Sequence, residues 1–195
     1  MKPYNLVLSS NSPRRSELLK KAGLDFTIRT IEIDETFPDD LECEKVAEYI
    51  SNLKADAHRD KISKHEVILT ADTVVAYDGI IYGKPRTRDE AIEFILTFSA
   101  QVHQVYTGVT FLNVQNRKSF TTTSNVKFDS INSDEAAYYV DNFNAMDKAG
   151  AYGIQDWIGQ VKVEWIEGSY TNIVGLPLVQ VCKNLKLFVA ALKES

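Results

Sequence analysis

Cysteine is scarce in this chain: Cys43 and Cys182 are the only two, far apart, and neither has a second ligand pair nearby. That excludes a disulfide framework and argues against a zinc site. It fits a reducing compartment and predicts two buried or half-buried thiols. Long apolar runs are missing as well. No stretch approaches the ~20 residues that a membrane-spanning helix needs. The start Met1-Lys2-Pro3-Tyr4 soon reaches charged residues, without the apolar core and small-residue cleavage site of a secretion signal. A cytoplasmic protein with no membrane partner is expected. Positive charge is not in excess either. The 22 Lys and Arg face 27 Asp and Glu, a formal charge of -5, so no nucleic-acid partner is expected. A small anionic substrate stays open if cations gather locally. The three histidines, His58, His65 and His103, have no partner at metal-ligand spacing. His58 and His65 fall in a charged region expected to be exposed, and His103 reads as a satisfied polar residue beside a strand. Walker A and G-x-S-x-G patterns are both absent, which removes support for P-loop and α/β-hydrolase chemistry.

What is present is an ordinary globular composition over 195 residues, enough for one domain or two small lobes sharing a cleft. No repeat and no Pro/Gly/Ser-rich linker divides it. Periodicity and punctuation predict a strand over 5–8 and a helix opened by the Ser12 hydroxyl and Pro13 and closed by Gly23. A strand over 25–31 and a helix over 42–57 follow. The strand over 67–77 turns at Asp78-Gly79. Thr87 and Glu90 form a capping box for a helix reaching about residue 98. Strands over 102–112 and 118–128 turn at Gln115-Asn116, and Ser133 caps a helix through about 143. A glycine-containing loop then leads to a strand over 161–166, and a last helix follows Pro177 to about 192. Hairpins mixed with helices predict an α/β mixed sheet with flanking helices.

Several clusters look chemical, each with a plainer alternative. In Ser9-Ser10-Asn11-Ser12-Pro13-Arg14-Arg15 a strand leads through hydroxyls into a helix start, where free N–H groups and the helix dipole favour an anion. Two arginines at that end oppose the dipole, and a phosphate would resolve the conflict; otherwise Ser12 is a simple cap and the arginines are solvated. Asp72, in Ala71-Asp72-Thr73, interrupts an apolar β run and needs a charged partner, a metal, or backbone amides at a strand end. Lys84, between Gly83 and Pro85, suits a fixed phosphate contact or a solvated turn. Asp34-Glu35 can hold Mg²⁺ with substrate phosphates or form part of an acidic loop. Lys54 reads as a surface lysine of its helix. In Asp147-Lys148-Ala149-Gly150-Ala151-Tyr152-Gly153-Ile154-Gln155 small residues allow close backbone approach. There Tyr152 and Gln155 suit a base, or Tyr152 packs on the core. Glu167-Gly168-Ser169-Tyr170 with Gly175-Leu176-Pro177 is either a structural turn or a cleft wall.

Together with Ile33-Asp34-Glu35, Lys54-Ala55, Ala71-Asp72-Thr73-Val74-Val75 and Tyr106-Thr107-Gly108-Val109, these segments resemble the Maf family of nucleotide pyrophosphatases. They occur in family order from residue 6 to about 180. The resemblance implies a single Maf-like domain over 1–195, built as a two-lobed α/β fold like inosine triphosphatases, with a central cleft, in a homodimer. It implies Mg²⁺- or Mn²⁺-dependent cleavage of a nucleoside triphosphate to monophosphate and pyrophosphate. By family pattern Asp72 is the catalytic carboxylate and, with Glu35, holds the metal. Ser9, Ser12, Arg14, Arg15, Lys54, Lys84 and Lys148 fall on substrate-contacting stretches. The run ending Tyr152-Gly153-Ile154-Gln155 resembles the branch acting on dTTP and UTP, where Arg14, Thr73 and Gln155 go with substrate choice. Asn11 replaces a small residue and Asp156 a glycine of the family pattern, which puts a side chain and a charge near the presumed base site. Alternatives are a pyrophosphatase for other non-standard triphosphates, or a nucleotide-binding cell-division regulator without strong turnover.

Overall fold

The computed structural model describes residues 4–192. The first three residues, on which the secretion-signal expectation partly falls, and 193–195 lie outside the described residues. The chain opens with strand β1 (Asn5–Ser9), buried after its first residue. Helix α1 (Pro13–Lys21) begins at a proline, whose missing N–H costs nothing in a first turn. Ser12 holds the cap position, but its side chain makes no capping bond; its N–H instead donates to Ser10 Oγ at 3.2 Å. The expected hydroxyl cap is therefore corrected.

Strand β2 (Phe26–Ile28) is shorter than the alternation suggested, because it pairs with β1 only and forms the sheet edge. Helix α2 (Cys43–Asp56) buries Val46, Ala47, Ile50 and Ala55, one stripe at helical spacing. Strand β3 (Glu66–Tyr77) turns through Asp78 and Gly79, with φ of 51° and 74°, into strand β4 (Ile80–Tyr82). Two successive positive φ angles are what a tight hairpin of this hand requires. Helix α3 (Arg88–Thr97) is capped by Thr87 Oγ1, which accepts the Glu90 N–H at 3.1 Å. The Glu90 carboxylate accepts from Arg86 N–H instead of the cap N–H, so only half of the expected box forms.

Strands β5 (Val102–Leu112) and β6 (Arg117–Phe128) follow. Helix α4 (Ser133–Asn142) is capped by Asn132, not Ser133, in a full reciprocal box with Glu135. Two short helices were not expected, α5 (Trp157–Val161) and α6 (Tyr170–Val174), on either side of strand β7 (Val163–Glu167). Helix α7 (Leu178–Ala191) closes the described chain.

The strands form one seven-stranded mixed sheet in the order β2-β1-β3-β5-β6-β7, with β4 beside β3. β1 runs parallel to β2 and β3, whereas β4 and β7 run antiparallel to β3 and β6. The chain divides into two compact units: Met1–Asp72, Thr107–Thr122 and Gly175–Ser195 make the first, Thr73–Tyr106 and Thr123–Val174 the second. In the first, Val7, Ile68, Ala55 and Leu112 pack together. A Cβ on Gly108 would stand 2.2 Å from the Glu48 backbone nitrogen, so α2 lies directly on β5 there. The second has an aromatic core of Phe98, Phe128, Tyr139 and Tyr152, with His103 stacked on Phe98 at 4.5 Å.

Candidate functional site

In the first unit, the last turn of α2 places the Lys54 ammonium 2.7 Å from Asp72 Oδ1 and 2.9 Å from Glu35 Oε1. The Lys54 and Asp72 side chains are 15% and 13% exposed, Glu35 55%. The aspartate that interrupts the apolar strand is thus compensated by a mostly buried cation, and Lys54 is not the surface lysine that its helix suggested. Asp34 does not join them: its Oδ1 accepts the Thr36 N–H at 3.0 Å and closes a local turn.

The strand-to-helix turn belongs to the same unit. Arg15 Nε donates to the Gly175 carbonyl at 2.8 Å and its Nη1 to Ser10 Oγ at 3.3 Å. The Gly175-Leu176-Pro177 segment therefore anchors this guanidinium. Burial pulls Arg15 below its ordinary value, Asp72 pulls it back, Arg14 adds to the lowering and Glu35 opposes it. An arginine stays charged throughout. Arg14 and Arg15 stand in a first turn that has no acidic residue, and the Ser12 side chain makes no capping bond. Cations at the positive end of a helix dipole make a seat for an anion.

Ser9, buried at the end of β1, has its Oγ 2.8 Å from His58 Nε2. His58 is fully buried, which corrects the expectation of an exposed residue. Burial is the first cause that lowers its pKa, with Arg29 and Lys61 adding and Glu66 opposing. A neutral imidazole thus backs the hydroxyl. Of the two cysteines Cys43 is half-buried, but Cys182 is exposed, against expectation.

In the second unit Lys84 is exposed and stands 3.7 Å from Asp147 Oδ1. Thr73, next to Asp72 along β3, is half-buried. Gln155 is exposed, while Lys148 is buried with its ammonium 3.1 Å from Asp156 Oδ2. Tyr152 takes the core alternative: it is buried, with its hydroxyl 2.7 Å from His103 Nε2. Burial, with Tyr139 adding, pushes the Tyr152 phenol up; burial alone takes His103 down to about 3. The Glu167-Gly168-Ser169-Tyr170 segment is a structural turn, since Ser124 Oγ accepts the Ser169 N–H at 3.0 Å and donates to its carbonyl at 3.1 Å.

Within the first unit Glu35, Lys54 and Asp72 are brought into direct contact, and Ser9, Ser12, Arg14 and Arg15 share one turn and helix start. Within the second, Lys148 and Gln155 meet over Gly153, and Lys84 pairs with Asp147. The sequence gives no sign that His58 and Tyr139 belong beside these residues, and Gly175 stands there only as part of a turn or cleft wall. His58 follows Lys54 by four residues and lies two residues past the end of α2.

An α/β protein that presents an acid–lysine–acid set and an arginine-flanked helix start in one unit has the groups to bind a polyanion. A family model for Maf-like protein matches residues 5–188, and the chain belongs to the Maf family. A dTTP/UTP pyrophosphatase of Bacteroides thetaiotaomicron is 46% identical over 184 residues, covering 94% of this chain and 95% of that protein. One of Phocaeicola vulgatus is 42% identical, covering 95% and 97%. Among solved structures, the Staphylococcus aureus Ham1 protein matches with a TM-score of 0.47 at 16% identity, over 64% of this chain and 71% of that one.

Proposed function

We propose that this chain is a nucleoside triphosphate pyrophosphatase that hydrolyses dTTP and UTP to the nucleoside monophosphate and pyrophosphate. The observation that carries it is Lys54, held between the carboxylates of Glu35 and Asp72. Relatives named dTTP/UTP pyrophosphatase, from 35% to 46% identical over nearly the whole chain, support the substrate class.

A divalent cation, Mg²⁺ or Mn²⁺, fits the donor set. Glu35 and Asp72 face one ammonium, and hard cations of this kind take one or two carboxylates together with water and substrate phosphate oxygens. Among the described residues no three His, Cys, Asp or Glu side chains converge, so Glu35 and Asp72 would hold such a cation together with oxygens of the substrate. When bound, such a cation polarises a phosphoryl oxygen and lowers the pKa of a coordinated water.

The chain's own residues do the rest. Lys54 fixes the Asp72 carboxylate, whose second oxygen orients the attacking water and takes its proton. Arg14, Arg15, Ser12 and Ser9 hold phosphate oxygens at the start of α1. Lys84 is assigned a further phosphate contact as a point charge. Thr73, Lys148 and Gln155 are assigned to the nucleoside side, with the Gln155 amide offering both a donor and an acceptor to a pyrimidine edge. The same proposal includes one domain over the whole chain, a homodimer and a cytoplasmic location. Among the described residues no helix is long and apolar enough to cross a membrane.

The test is turnover of UTP, dTTP, CTP and GTP with Mg²⁺ or Mn²⁺, detecting pyrophosphate and orthophosphate separately. Pyrophosphate from UTP and dTTP is expected. Orthophosphate as the first product, or tight binding without turnover, would overturn the proposal.

A further inference from the structure

The 144–156 stretch of the second unit carries a buried charge, Lys148, whose part on the nucleoside side follows from what holds it. Lys148 is 7% exposed. Its ammonium donates to the Asn144 carbonyl and stands 3.1 Å from Asp156 Oδ2. That carboxylate oxygen also accepts the Tyr139 hydroxyl at 2.9 Å. The Tyr139 oxygen in turn accepts the Gly153 N–H at 2.9 Å. Tyr139 is fully buried and packed against Phe143, so its hydroxyl is a fixed point. A buried ammonium persists only with compensation, and Asp156 supplies it. The loop is thereby tied at its start, middle and end through one carboxylate oxygen.

Gly153 is where the ties converge. A Cβ there would lie 2.6 Å from Asp156 Oδ2, 2.6 Å from Gln155 Nε2 and 2.8 Å from Lys148 Cε. The glycine makes room for the Gln155 amide to lie back beside the clamped carboxylate. Gln155 itself is exposed. With the Lys148 charge consumed inside the loop, the surface around Gln155 can select by hydrogen bonding and not by charge.

We propose that Asp156 is a positioning residue for substrate selection: by clamping Lys148 and, through Tyr139, the Gly153 amide, it fixes the Gln155 amide for a uracil or thymine edge. This rests on the activity proposed above. A uracil-type ring offers a carbonyl acceptor beside an N–H donor on that edge, which a primary amide matches in one orientation, whereas a cytosine edge presents the reverse order and pairs with the same amide only after it flips. Such matching discriminates only when the amide is held still.

The experiment compares the wild type with Asp156→Ala, Asp156→Asn and Tyr139→Phe, measuring kcat and KM for UTP and CTP and checking fold by circular dichroism. For Asp156→Ala, KM for UTP rises about tenfold with kcat within about twofold, and the UTP-over-CTP preference falls by a similar factor. Asp156→Asn keeps an acceptor for Tyr139 but removes the charge opposite Lys148, and recovers only part of the preference. Tyr139→Phe, which removes only the hydroxyl, lowers it in the same direction. An unchanged preference in folded Asp156→Ala overturns the proposal, as does a collapse of kcat with the preference intact. If Asp156→Ala does not fold, an unchanged preference in Tyr139→Phe overturns it. Should the wild type bind UTP without releasing pyrophosphate, only the activity falls. The preference is then read from dissociation constants of the α,β-imido analogues of UTP and CTP. A wild type that binds neither analogue overturns both proposals.

Discussion

The Lys54 ammonium lies 2.7 Å from Asp72 Oδ1, and this pair makes an acid tolerable in the middle of an apolar strand. Its neighbours Ala71 and Val74 are buried, so β3 could not carry an unpaired carboxylate there without a large desolvation cost. Asp72→Asn keeps the shape and one acceptor for Lys54. Stability should therefore change by no more than about 1 kcal/mol. A neutral amide neither takes a proton nor binds a divalent cation well. Pyrophosphate release should fall by roughly two orders of magnitude or more. Steady-state turnover with urea denaturation checks both halves; near-normal turnover would remove Asp72 from the chemistry.

Truncating the other partner should have a different signature. Lys54→Ala leaves Asp72 mostly buried without its hydrogen-bonded cation, with only the buried Arg15 guanidinium still acting on both carboxylates. It should cost about 1–3 kcal/mol, more than Asp72→Asn, because a poorly compensated buried charge is worse than a weakened hydrogen bond. Thermal melts of the two variants side by side decide it. Equal melting temperatures would mean that solvent, not Lys54, balances the aspartate.

Much of the fold was legible because its strands and long helices follow simple periods. β3, β5, β6, α2 and α7 fall within a residue or two of their expected bounds. The misses share a cause, which is that tertiary contacts outvote local pattern. β2 stops early at a sheet edge, and α5 and α6 are too short to show a period. Ser12 looks like a cap, yet its side chain does not cap. For the candidate site, Glu35, Lys54 and Asp72 were recognisable as residue types. Their meeting at one ammonium was not, since it depends on how α2 lies against β3. Flanking charges suggest an exposed His58, whereas the chain just past α2 turns its ring inward to Ser9.

Two buried histidines set a pH dependence of stability. Burial depresses His103 from an ordinary 6.5 to about 3 and lowers His58 as well. The unfolded chain then binds protons that the folded chain refuses, so stability rises with pH in that interval. Their contribution is fully present above the unfolded value of 6.5 and is lost as pH falls toward the folded values. The lowered carboxylates Glu66, Glu90 and Glu135 start to titrate only near their unfolded value of 4.5, so the window from 6.5 to 4.5 belongs to the histidines. One such group contributes a slope of at most about 1.4 kcal/mol per pH unit. Urea titrations at several pH values in that window should show the wild type weakening on acidification and His103→Gln weakening less steeply. Parallel slopes would mean that His103 is protonated in the folded state.

The tightest backbone approach in the first unit gives the sharpest stability prediction. Gly108 lies on β5, and a Cβ there would stand 2.2 Å from the Glu48 nitrogen, 2.3 Å from the Ala47 carbonyl carbon and 2.4 Å from its oxygen. These are backbone atoms in α2, so no side chain can swing away to make room. Ala47 is itself fully buried, and Lys54 sits two turns further along the same helix. Gly108→Ala must therefore push α2 off the sheet, at a cost of about 3 kcal/mol or more, the upper end for overpacking a core. The same shift should carry the Lys54 ammonium away from Asp72, so residual folded protein should lose turnover along with stability. Gly83→Ala is the control, because a Cβ there meets nothing within 4 Å. If Gly108→Ala unfolds at the same urea concentration as Gly83→Ala, α2 does not pack on β5 as closely as this geometry requires.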